Sequence, residues 1–99
     1  MPRRIETSRA ALADFDDIYD YLARRNPLAA AELLRQLDQA IQLLGDQPRL
    51  GRPYLHRGRQ LRLLTHGDYL VFYRERPGVV ELVRVIHGRR NIPDVLDEL

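Results

Sequence analysis

Cysteine and lysine are both missing from this 99-residue chain. Without cysteine there is neither a disulfide nor a thiolate metal site, and the absence is compatible with the cytoplasm. Without lysine, and without any G-x-x-x-x-G-K run, there is no P-loop for a nucleotide phosphate. Serine occurs once, as Ser8, at the start of a helical pattern where capping accounts for it. Neither a serine nor a cysteine nucleophile is therefore expected. No apolar run approaches the ~18 residues that would span a bilayer, so no membrane partner is expected. The opening MPRRIETSR has no apolar stretch behind its arginines and does not read as a secretory signal. His56, His66 and His87 fall on a loop, a turn and a strand end, with no i,i+4 pair and no carboxylate placed beside them. The pattern predicts no metal site and no cofactor.

What is present is a soluble-type composition, 44% hydrophobic and 30% charged, with a length that suits one domain over residues 1–99. The formal charge of +2 conceals a strong asymmetry. Residues 1–48 are net −2, residues 49–92 net +7 and residues 93–99 net −3. Every cationic side chain is arginine, a planar fork for carboxylates and phosphates that stays protonated near neutral pH. A GC-rich genome would also give all-arginine usage. Two basic segments stand out: RLGRPYLHRGRQLR at 49–62, and the HGRRN that follows the last strand-like run. If they meet on one small sheet, they form a surface for an acidic or polyanionic partner.

The periodicity gives the scaffold. Residues 3–7 suit an edge strand. Thr7 or Ser8 can cap a helix in which Ala11, Phe15, Ile18, Tyr19 and Leu22 form an apolar stripe. Asp14, Asp16, Asp17 and Asp20 then read as its solvated polar face. Asn26-Pro27 restarts the chain as N-cap and first helical residue. Leu34, Leu37, Ile41 and Leu44 carry a second stripe that Gly45 is expected to stop, with Pro48 beyond. After the Gly/Pro-rich loop 45–53 the period becomes strand-like. Strands are predicted at 60–65, 69–74 and 79–87, joined by tight turns as an antiparallel meander. In the last of these Val83 and Val85 should face one way, and Leu82, Arg84 and Ile86 the other. Residues from Ile92 begin a short helix or tail. The order is β-α-α-β-β-β, an α+β fold with a helical hairpin packed on one face of a small antiparallel sheet. The other sheet face is left exposed or covered by a partner.

Chemistry, if there is any, rests on the arginines with His87 and Tyr69. Cleaving RNA through its 2′-OH needs a base, an acid and cations for the phosphorane charge. His87 titrates near neutrality when unperturbed, Arg62 and Arg84 could clamp phosphate, and Tyr69 could stack on a base or donate a proton. Equally, the arginines could pair with acids such as Glu75 and Glu81, and His87 could simply close a strand.

The motifs themselves form a pattern: Ser8-x-x-Ala11-x-x-Asp14-Phe15-x-x-Ile18-x-x-Tyr21, then Pro27-x-Ala29-Ala30, Leu44-x-x-x-Pro48, Gly51-Arg52-Pro53, Tyr69-x-x-Phe72-Tyr73 and Val85-Ile86-His87-Gly88-x-Arg90. In this order, over roughly residues 3–92, they resemble the RelE/ParE superfamily of bacterial type II toxins, nearest its ParE branch. The resemblance implies a cytoplasmic toxin neutralised by a cognate antitoxin, with which it would form an oligomer. It implies one of two targets. ParE-like toxins inhibit DNA gyrase without a catalytic set; RelE-like toxins cleave mRNA on the ribosome with basic residues and a Tyr or His near the end of the sheet. Here lysine is absent, no tyrosine follows Tyr73, and Gly88-Arg89-Arg90-Asn91 ends the motif region, which favours gyrase and no catalytic residue. The endoribonuclease alternative would use His87, Arg62, Arg84 and Tyr69. The expected target- or antitoxin-binding residues are Arg52, Arg57, Arg59, Arg62, Arg84, His87, Arg89 and Arg90.

Overall fold

Local capping chemistry sets the first half of the fold. The computed structural model describes residues 2–99. Strand β1 (Arg4–Thr7) leads into helix α1 (Arg9–Ala23), and Ser8 is the N-cap, its Oγ accepting from the Ala11 N–H at 3.1 Å. Helix α2 (Pro27–Asp46) starts as the sequence predicts, with the Asn26 side chain accepting from the Ala29 N–H and Pro27 in the first turn. Both caps satisfy amide donors that a helix start leaves unpaired. Gly45 does not stop α2, which runs on to Asp46. The Arg3 N–H donates to the Gly45 carbonyl at 2.8 Å, and a Cβ on Gly45 would lie 2.9 Å from the Arg3 carbonyl oxygen. This glycine admits the chain entering β1, a close approach that helix periodicity cannot reveal.

The sheet is larger than the meander read from the sequence. Its strands are β1, β2 (Arg52–His56), β3 (Arg59–His66), β4 (Tyr69–Arg76) and β5 (Val79–His87), in the spatial order β1-β5-β4-β3-β2. β1 runs parallel to β5 and the other pairs are antiparallel, so the sheet is mixed. β2 arises from the stretch expected to be loop, and Pro53 is tolerated there because β2 is an edge. A two-residue turn joins β2 to β3, with Arg57 and Gly58 both at positive φ, 49° and 79°. That backbone matches the right-handed twist of the flanking strands.

The helical hairpin covers one sheet face. Leu37, Ile41 and Leu44 of α2 and Ala11 of α1 pack on Val71, Tyr73, Val80, Leu82 and Val85. Each fully buried aliphatic side chain contributes about 1.5–3 kcal/mol relative to exposure. The opposite face is covered by the chain itself. Helix α3 (Ile92–Leu96) lays Val95 and Leu96 on Leu61, Leu63, Phe72, Val83 and Ile86. Tyr19 is exposed rather than part of the α1 stripe.

Within β5 the expected alternation fails. The β4 register jumps between Phe72 and Tyr73, which pair with Arg84 and Leu82, so Val83 is an extra residue. Leu82 and Val85 consequently share the helix side, while Val83 and Ile86 face α3. A bulge of this kind re-aims the side chains that follow it.

Candidate interaction surface

Because β1 is only four residues long, it pairs with β5 no further than Leu82. The second half of β5 would be an open edge, and α1 closes it with side chains. Ser8 Oγ donates to the Val83 carbonyl at 2.9 Å, and Asp14 Oδ2 accepts from the Val85 N–H at 2.8 Å. Asp14 also takes the Arg84 guanidinium in a fork, from Nε and Nη2 at 2.8 Å each, while Arg84 Nη1 reaches Glu98 at 3.2 Å. Asp14 and Arg84 are 6% and 7% exposed. The hydrogen bond to Asp14 raises the Arg84 pKa further, against the cost of burial. Asp14 is thus no part of a solvated face. Nor does Arg84 offer its charge to an outside partner, because Asp14 and Glu98 use it.

Beside this pair, α1 and the end of β5 leave a cleft of about 360 Å³. Ile18, Tyr21, Tyr69, His87, Arg89 and Arg90 line it, with Asp14 and Asp17. Tyr69 and His87 are cross-strand partners, their rings edge-to-face at 5.2 Å and 80°. Burial, then the charges of Asp68 and Tyr21, push the Tyr69 phenol above its ordinary pKa. It remains a neutral donor and a poor base. His87 Nδ1 accepts from the Arg89 N–H at 3.1 Å, which leaves Nε2 as the ring's outward polar atom. Exposed Tyr21 is the residue of this cleft that sequence reasoning named only as a motif position.

The two basic segments do not meet. β3 begins at Arg59 and ends at His66, next to the turn into Tyr69, and Tyr69 faces His87. Arg57 and Arg59 therefore sit at one end of the sheet, and Arg89 and Arg90 beyond the other, about 24 Å of strand apart. Arg52 and Arg59 are exposed. Arg57 is clamped by Asp97, Nε to Oδ1 at 2.7 Å, and Asp97 also meets His56 Nε2 at 2.7 Å. Arg62 donates to the Gly51 carbonyl at 2.8 Å and faces Glu75 at 3.8 Å. Of the four residues of the nuclease alternative, the fold brings together Tyr69 and His87 but not Arg62, and it occupies Arg84. Among the described residues no group of three His, Asp or Glu side chains could hold a metal ion. Among the described residues, no helix is long and apolar enough to cross a membrane.

Comparison with known proteins gives this arrangement a family. The profile described as ParE toxin of type II toxin-antitoxin system, parDE, matches residues 5–92. Toxin ParE1 of Caulobacter vibrioides is 37% identical over 86 residues, covering 85% of this chain and 88% of the relative. Toxin RelE2 of the same organism is 34% identical over 80 residues, with 81% and 89% covered. In solved structures the fold recurs in a chromosomal ParDE toxin–antitoxin system from P. aeruginosa, at TM-score 0.75 and 22% identity over 86% of this chain and 95% of that one. It recurs also in the RelBE2 toxin–antitoxin complex of Mycobacterium tuberculosis, at TM-score 0.63 and 21% identity over 88% and 99%. The chain belongs to the ParE toxin family of type II toxin–antitoxin systems, within the RelE/ParE superfamily.

Proposed function

We propose that this toxin inhibits DNA gyrase by binding it in the cytoplasm, without catalysis, and that a cognate antitoxin neutralises it. The observation that carries the first half is the state of Arg84. A ribonuclease centre built on the sheet needs its strand arginines free to meet phosphate. Here the most deeply buried arginine is consumed by Asp14 and Glu98, and Arg62 is held beside Gly51. A second reading, a ribosome-dependent mRNA endoribonuclease, draws support from the Tyr69–His87 pair in a cleft with Arg89 and Arg90. Two assays on the purified chain separate the readings: gyrase supercoiling, and cleavage of mRNA on programmed ribosomes. Inhibited supercoiling with intact mRNA supports gyrase; specific mRNA cuts with normal supercoiling reverse the assignment.

An antitoxin partner is supported by the structural relatives, which are toxin–antitoxin systems. An acidic, partly disordered antitoxin segment fits the cleft between α1 and β5, where Ile18 and Tyr21 offer apolar contact and Arg89 and Arg90 offer charge. Calorimetry should find tight, partly salt-sensitive binding that weakens when Arg89 and Arg90 are both replaced by Glu. Binding that is indifferent to that change and to salt would remove this cleft from the interface.

A further inference from the structure

Strands β3 and β4 separate before they end. Their ladder runs from His66/Tyr69 to Arg62/Tyr73 and stops, although β3 extends back to Arg59 and β4 on to Arg76. Past that point β3 pairs only with β2, and β4 only with β5. The sheet forks, and a cleft of about 480 Å³ occupies the fork. Gln60, Leu61 and Arg62 line one prong, Arg74 and Glu75 the other, and Arg49 joins them. In an antiparallel ladder the hydrogen-bonded pairs alternate. Gln60 and Glu75 would be the next such pair, so the fork turns their amide and carbonyl groups toward the cleft instead of toward each other.

Arg74 is committed to Glu81 at 2.7 Å and Arg62 gives one N–H to the Gly51 carbonyl at 2.8 Å, but the Glu75 carboxylate holds its arginines loosely. Glu75 faces Arg3, Arg49 and Arg62 at 3.5, 3.7 and 3.8 Å. All three contacts are longer than the ~2.7–2.9 Å of a charge-assisted hydrogen bond. A carboxylate that reached Arg49 and Arg62 at that closer range would outcompete them. The cleft also has apolar walls, including Leu55, which is 70% exposed. The Tyr54 ring that lines it is in T-shaped contact with Phe72, at 5.1 Å and 75°. Backbone edges, apolar walls and an Arg49 that only Glu75 holds, at 3.7 Å, match a polypeptide better than a nucleic acid.

We propose that this fork is a docking site for an extended acidic peptide segment of a partner protein. The segment's carboxylates would meet Arg49 and the open side of Arg62, and its backbone would bond to Gln60 or Glu75. The site is separate from the cleft between α1 and β5, and it stands whichever target the toxin has. The test is an amide NMR titration of the full-length chain with a blocked hexapeptide of alternating valine and glutamate. Saturable shifts are expected at Gln60, Leu61, Arg74 and Glu75, and none with a valine–lysine hexapeptide. Arg49→Glu, an exposed change at a side chain with one loose contact, should leave the remaining spectrum intact. It should weaken binding on the order of tenfold, the loss of a charged hydrogen bond. Absence of saturable shifts, affinity unchanged by Arg49→Glu, or equal shifts from a single-stranded oligonucleotide would each overturn the proposal.

Discussion

At the scale of single residues, the fold depends on polar groups that each close a gap left by the backbone. Asp14 completes the edge of β5 and neutralises a buried arginine. Asp14→Asn keeps the shape but leaves Arg84 short of a counter-charge, and should cost about 3–5 kcal/mol. Urea denaturation measures this. Adding Arg84→Met to Asp14→Asn should recover much of the loss, because the desolvated arginine is gone while the Asn side-chain oxygen can still accept from the Val85 N–H. Tyr73 plays the matching role for loop 47–51: its Oη accepts from the Gly51 N–H and donates to the Pro48 carbonyl, each at 2.8 Å. Tyr73→Phe leaves a buried amide unpaired, an effect of about 1–3 kcal/mol. Burial raises the pKa of Tyr73 and Tyr69 above the phenol's ordinary 10.0. Above that pH the unfolded chain loses these protons before the folded chain does, so stability should fall as pH climbs further. Urea midpoints measured at neutral and strongly alkaline pH should show that decline, and Tyr73→Phe should lessen it.

At the scale of elements, α2 and β1 illustrate opposite sequence signals. Leu37→Ala removes a side chain that is 0% exposed and should cost about 2–5 kcal/mol. Gly45→Ala would ordinarily stabilise a helix by about 1 kcal/mol. Here the new Cβ meets the Arg3 backbone at 2.9 Å, so thermal denaturation should show a lower midpoint instead. The α+β class, both helix starts and the β4–β5 hairpin were legible because their signals are local: Ser8, Asn26-Pro27, and turns such as Pro77-Gly78. What stayed hidden depends on distant partners. β2 contains Pro53 and few strand formers, and is a strand because β3 offers it an edge. The Val83 bulge has no sequence mark, and without it Leu82 and Arg84 appear to share a face. Asp14 looks solvated because nothing in α1 announces an arginine on β5, 70 residues away. Of the site, Tyr69 and His87 were readable as candidates, but the turn's own register would set Tyr69 opposite Ile86, and only the Val83 bulge brings His87 there. The separation of the basic segments to opposite sheet ends was not, since it follows from strand order.

At the scale of the whole molecule, the charge asymmetry becomes a layout. The acidic C-terminal segment folds back over the sheet, where Asp97 and Glu98 engage Arg57 and Arg84. The basic surface that remains is divided between the β2–β3 end and the turn after β5. A molecule built this way has two separated places for acidic partners, and its strand arginines Arg62 and Arg84 are already held within the fold. On the gyrase reading, toxicity comes from binding rather than proton transfer. The most direct measurement is growth after induction of His87→Gln in cells lacking the antitoxin. The variant keeps a polar side chain in the cleft but removes the imidazole that general acid–base chemistry would use. Growth inhibition close to that of the unaltered chain is expected. Restored growth, together with mRNA cleavage slowed by ~10²–10⁴-fold on purified ribosomes, would contradict it.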